Sequence, residues 1–133
     1  MTGLEIVGAI LIAHKPLLDL VDVESIKAGK LPDGVVLPAL LLRTVSSIDR
    51  QYLKNSSFFR VTDRVSVAVR TANYEDQVKI IRIVKRCCGG LNGDIGGGLR
   101  VSILNAGTGP DIGGPANSFE QTHDFRVSFD DPA

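Results

Sequence analysis

The chain has 133 residues, with 15 Lys and Arg balanced by 15 Asp and Glu, 44% hydrophobic residues and 23% charged ones. That length matches one domain and leaves no room for a second catalytic module, so residues 1–133 are read as a single domain able to bury about two thirds of its unfolded surface. Zero net charge removes the footprint of a protein that holds nucleic acid by itself, and the apolar fraction excludes dominant disorder.

In chain order, residues 4–13 (LEIVGAILIA) are apolar on most sides, which predicts a buried helix. The segment carries Glu5, lacks a basic leader and is too short to span a bilayer, so neither a signal peptide nor a membrane anchor is expected. Pro16 suits the first turn of a short second helix over Leu17–Val21. Gly29, Pro32 and Gly34 predict a loop over 22–37, with a short strand near Ser25–Ala28. A strand follows Pro38.

Residues 60–71 (RVTDRVSVAVRT) alternate, with Val61, Val65, Val67 and Val69 on one face and Thr62, Arg64, Ser66 and Arg70 on the other. This is a half-buried strand. Asn73 can cap a helix with Glu75 and Asp76 in its first turn, Lys85 and Arg86 in its last, and Gly89 as its stop. Its apolar stripe is placed on Val78, Ile81, Val84 and Cys88, widened by Ile80, Ile83 and Cys87. Leu99–Leu104 reads as a strand and 106–117 as a Gly/Pro loop. In the closing strand Phe119, Phe125, Val127 and Phe129 share one face, with Glu120 and Asp124 on the other. The expected fold class is α+β: a mostly antiparallel four- to five-stranded sheet, two helices packed on one face, the other face polar. Val65, Val67, Val69, Val78, Ile81, Val84, Phe125 and Val127 are the expected core.

Site chemistry is sparse. The GDIGGG run at 93–98 precedes Leu99-Arg100 rather than Lys-Ser or Lys-Thr, and Gly107, Gly109 and Gly113 miss the dinucleotide spacing by one residue, so no phosphate loop is expected. His14, His123, Cys87 and Cys88 lack metal-site spacing, and His123 is read as a satisfied, half-buried histidine. A bridge between adjacent Cys87 and Cys88 would be strained, which favours reduced, intracellular thiols, and the negative end of the helix dipole disfavours a nucleophilic thiolate there. No Gly-x-Ser-x-Gly elbow occurs, and the expectation is no enzyme, no cofactor and no metal.

One segment departs from loop composition. Residues 48–59 (IDRQYLKNSSFF) join two strands yet carry three of the seven Phe and Tyr residues. Tyr52, Leu53, Phe58 and Phe59 either fold back on the core, extend the strands into a long hairpin, or contact another subunit. A long hairpin reaching a neighbouring subunit is the favoured expectation. Arg64, Arg70, Glu120 and Asp124 complete the candidate subunit-interface residues: within one chain they would form cross-strand pairs, and between chains they would fix register.

The order of these parts resembles the tail-completion, or tail-terminator, proteins of long-tailed bacteriophages and phage-derived particles. The parts that carry it are KPLLDLV at 15–21, SIKAGKLPDGVVLPALLLRTVSS at 25–47, DRVSVAVRTANYEDQVKIIRIVKRC at 63–87 and THDFRVSF at 122–129. The resemblance implies a non-enzymatic virion protein of the tail or neck, assembled in the host cytoplasm into a homo-oligomeric, commonly hexameric ring. Such a ring stops tail-tube polymerisation and joins the tail to the head connector. Its partners would be the tail tube protein and head–tail connector proteins, with DNA passing through the lumen without specific binding and no membrane contact. A head–tail connector or adaptor, or a monomeric α+β ligand-binding domain, are the alternatives.

Overall fold

A computed structural model describes residues 1–50 and 57–132. In chain order the elements are α1 (Gly3–Ile12), α2 (Lys15–Leu18), β1 (Ile26–Ala28), β2 (Ala39–Arg50), β3 (Phe58–Thr71), α3 (Tyr74–Cys88), β4 (Asn92–Gly93), β5 (Leu99–Thr108), β6 (Ile112–Gly113) and β7 (Phe119–Pro132). Short 3-10 turns occupy Val23–Ser25 and Pro115–Asn117. The class is α+β. Among the described residues the sheet runs β1-β2-β3-β7-β5-β4, with β6 also on β7, and only β1 and β2 are parallel. Seven strands replace the expected four to five, because β4 and β6 are two-residue pairings that leave no periodicity to read. The 106–117 loop is likewise shorter than expected. Residues 106–108 finish β5, and Ile112 and Gly113 pair with Glu120 and Phe119.

Each principal element follows from its residues. Thr2 caps α1 by accepting the Glu5 amide, and the apolar stripe of Ile6, Val7 and Leu11 is fully buried. Asn73 caps α3 by accepting the Asp76 amide at 2.8 Å. Gly89 ends α3 for want of space rather than for backbone freedom. Its φ is −63°, and a Cβ there would lie 2.6 Å from the Asn105 amide. Alternation in β3 turns Val61, Val65, Val67 and Val69 toward α1 and α3, which pack on the same sheet face, and Phe125, Val127 and Phe129 of β7 complete the core.

Two expectations about burial need correction. Val78 is 38% exposed and outside the core, while Gln77 and Ile80 are buried. The buried stripe of α3 is Gln77, Ile80, Ile81, Val84, Cys87 and Cys88, so the expected phase holds from Ile80 onward, with Gln77 in place of Val78 and Ile83 only partly buried. A polar residue heads it because Gln77 Nε2 donates to Asp111 Oδ1 at 2.7 Å and to Gln121 Oε1 at 3.3 Å. Phe119 also lies at the margin, 38% exposed, edge-on to Tyr74. The outer sheet face is not wholly polar either. Leu31, Val35 and Leu37 from the 30–37 segment cover Ala39, Leu41 and Ala68 in a second small cluster.

Candidate functional site

The 48–59 segment is strand at both ends rather than loop. Ile48, Asp49 and Arg50 pair with Thr62, Val61 and Arg60, so β2 and β3 form a long antiparallel hairpin. The long-hairpin expectation therefore describes the observed path. Tyr52 and Leu53 lie outside the described residues. Phe58 is 38% exposed, and Phe59 is half-buried opposite Asp131 of β7. Every β2 residue from Arg43 to Arg50 is exposed, including Val45 and Ile48. β1 reaches only Leu40–Leu42, so among the described residues the outer edge of β2 from Arg43 onward has no strand partner.

The predicted charged residues meet within one chain. Arg64 Nε donates to Asp124 Oδ2 at 2.8 Å, and Arg70 Nη2 donates to Glu120 Oε1 at 3.3 Å. Arg70 directly opposes Glu120, whereas Arg64 reaches Asp124 diagonally because its own opposite residue is Arg126. The cross-strand alternative is the one observed, worth roughly 0.2–1 kcal/mol per pair. These four side chains hold the sheet of their own subunit.

Antiparallel register places directly opposed side chains on one face. The outer rows of β2, β3 and β7 consequently carry Arg43, Arg50, Arg60, Arg64, Arg70 and Arg126 against three carboxylates, Glu120, Asp124 and Asp130. Arg60 and Arg100 share Asp130, each at 3.1 Å, and Arg64 and Arg70 have the partners given above. Two rows oppose like charges, Arg50 to Arg60 and Arg64 to Arg126. Sequence patterning assigns the polar rows of β3 and β7 to this face but not Arg43 and Arg50 of β2, because the Thr44/Ser46 bulge resets the phase of β2 and register alone aligns the rows.

Asp63, the one charged residue on the core side of β3, was invisible as a site. It is 3% exposed and accepts the Gly3 amide of α1 at 2.8 Å, while the Ser47 hydroxyl donates to its other oxygen. It ties β2, β3 and the N-terminus of α1 together. His123 is satisfied as expected but fully rather than half-buried, with both ring nitrogens partnered: Nδ1 to Thr108 Oγ1 at 2.8 Å and Nε2 to Asn105 Oδ1 at 2.9 Å. A bulge in β5 between Asn105 and Gly107, where Gly107 has φ +122°, lets both side chains reach the ring. Burial, reinforced by the charge of Lys85, holds the pKa of His123 below the ordinary histidine value.

Cys87 and Cys88 are buried free thiols, and the Cys88 thiol is pushed far up by its hydrogen bond with Cys87 and by burial. Among the described residues no group of three or more His, Cys, Asp or Glu could hold a metal, and no helix is long and apolar enough to cross a membrane. Two clefts on the surface are open grooves. One of about 460 Å3 lies between α3 and the β5–β6 turn, lined by Tyr74, Val78, Arg82, Lys85 and Asp111. Another of about 450 Å3 crosses the outer sheet face between Arg50, Arg60, Thr62, Ser102 and Ser128. Tyr74 donates to Asp111 at 2.9 Å, and that carboxylate raises the phenol's pKa.

No protein-family model matches this sequence, and no curated protein does. Among solved structures, a chain of the virion of a native gene transfer agent particle is similar in fold, with a TM-score of 0.67 over 94% of this chain and 92% of that one, at 15% sequence identity. The chain thus shares its fold, nearly end to end, with a protein of a gene transfer agent virion.

Proposed function

We propose that this protein is a structural component of a phage-like virion, specifically a non-enzymatic tail terminator that closes into a ring on the head-proximal end of the tail tube. The observation that carries the reading is the near full-length likeness to a virion chain, at a TM-score of 0.67. The long β2–β3 hairpin supports it. An arm whose β2 half buries nothing in its own subunit offers area for a heterologous contact, and heterologous contacts close into rings when the rotation permits. On this reading the arm residues Tyr52, Leu53, Phe58 and Phe59 anchor the contact with the next subunit or the tube protein, because buried aromatics dominate interface energy. The head connector would meet the opposite rim, and the ring would sit in the neck of the assembled particle.

The test is incubation with purified tail tubes followed by electron microscopy of tube ends. The native chain is expected to cap them. Phe58→Ser with Phe59→Ser is expected to keep the circular dichroism and melting behaviour of the subunit and to lose capping. Collapse of the subunit's own fold in that variant would place these rings in its core and remove them from the interface.

A further inference from the structure

The neutral total charge of the chain conceals a segregation. On the outer face of β2, β3 and β7, six arginines face three carboxylates, and Arg43, Arg50 and Arg126 are exposed with no ion-pair partner among the described residues. Like charges placed directly opposite one another destabilise a sheet. Here they recur in two rows. In each row one arginine is neutralised by its own chain, Arg60 by Asp130 and Arg64 by Asp124, and the other, Arg50 or Arg126, points outward uncompensated. A bound anion would relieve both rows.

We infer that this face binds the phosphate backbone of duplex DNA through Arg43, Arg50 and Arg126. Between Arg60 and Ser66 on β3, and between Asp124 and Asp130 on β7, every outward residue is polar, with the hydroxyls of Thr62 and Ser128 set between the arginines, 2.9 Å from each other. Guanidinium and hydroxyl groups are the usual phosphate ligands. A protein interface would instead place apolar anchors at its centre and deplete charge there. The exposed apolar residues of this face lie outside that polar stretch: Ile48 on β2, Phe58 at the start of β3, Leu99 and Leu104 on β5 and Ile112 on β6. The groove past Arg50, Arg60 and Thr62 runs across the face and stays open. With so few uncompensated cations the binding is weak, indifferent to sequence and easily screened, which suits a polyanion that must slide. The inference rests on the terminator reading for its setting, since it turns this face toward the lumen of the ring.

The experiment titrates the isotope-labelled full chain with a duplex of about 20 base pairs at low salt and follows amide and arginine side-chain resonances, a readout that detects millimolar affinity. Shifts are expected on β2, β3 and β7 around Arg50, Arg64 and Arg126. Arg43→Gln with Arg50→Gln and Arg126→Gln should keep the melting temperature, weaken binding about tenfold or more, and reduce the slope of log K on log salt by about 2.7. Three results would overturn the inference: no shift at millimolar duplex, shifts centred on Lys79, Arg82, Lys85 and Arg86 of α3, or tighter binding of polyglutamate than of DNA, which would identify an acidic protein surface as the partner. Tube capping by the triple variant separates the two ideas. Capping that persists while DNA binding is absent leaves the terminator reading standing and removes only this one.

Discussion

His123 shows how a single buried side chain ties stability to pH. Its ring is 1% exposed, edge-on to Phe125, and bracketed by Thr108 and Asn105. One nitrogen accepts and the other donates in the neutral form; a second proton would put a charge where burial and Lys85 oppose it. Between the ordinary histidine value of about 6.5 and the lower folded value, the unfolded chain binds a proton that the folded chain does not. This contribution to stability is therefore complete above about pH 6.5 and is lost as pH falls toward the folded pKa. Melting curves of His123→Gln should lie below the native chain near about pH 8, by about 1–3 kcal/mol for broken hydrogen bonds and packing, and should fall less steeply in acid. A variant that loses stability in acid as steeply as the native chain would assign that loss to carboxylates. Gly89 belongs to the same device, since a side chain there would strike Asn105 and push it off the ring.

At the scale of elements, α3 separates what a sequence displays from what only a fold decides. The Asn73 cap, the acidic first turn and the basic last turn were all legible, because capping and the helix dipole act within a few residues. Most of the buried stripe was legible too, but not its first residue. Val78 carries the right chemistry and Gln77 the wrong one, and their places are exchanged by Asp111 and Gln121, partners far along the chain that accept from the buried amide nitrogen. The exchange at the head of the stripe has a measurable consequence in urea unfolding. Ile80→Ala, at a side chain 1% exposed, should cost about 2–5 kcal/mol, and Ile81→Ala a similar amount. Val78→Ala should cost less than about 1 kcal/mol, and equal losses at positions 78 and 80 would contradict the burial pattern. Strands β3 and β7 were read correctly because strict alternation over many residues survives one buried charge. Asp63 breaks that alternation, and nothing local announces that its partners are Gly3 and Ser47.

Taken as a whole molecule, the subunit divides into a part that folds and a part that reaches outward. The core draws on α1, α2, α3 and the middle of the sheet, and from β2 it takes only Leu40 and Leu42. Beyond those residues β2 continues to Arg50 with every side chain exposed and its outer edge unpaired among the described residues. A long unpaired edge invites association unless something blunts it, and here Asp49 and the bulge near Val45 make that association selective. Assembly and folding should therefore be separable by surgery. Replacing residues 50–60 with an Asn-Gly turn would join Asp49 directly to its register partner Val61 in a two-residue hairpin, keeping Ser47 on Asp63 and leaving Arg100 to neutralise Asp130. The shortened chain gives up the Arg60–Asp130 pair and the pairings of Phe58 and Phe59 with β7, none of them at the centre of the core. It should fold with a loss of about 1–2 kcal/mol, read from urea unfolding. If the arm is the contact between subunits or with the tube, light scattering should show no ring at any concentration, and tube ends should stay uncapped. A shortened chain that folds and still caps tubes would show that the arm is dispensable and move the contact surface to another face; a chain that does not fold would make the arm part of the subunit's own architecture.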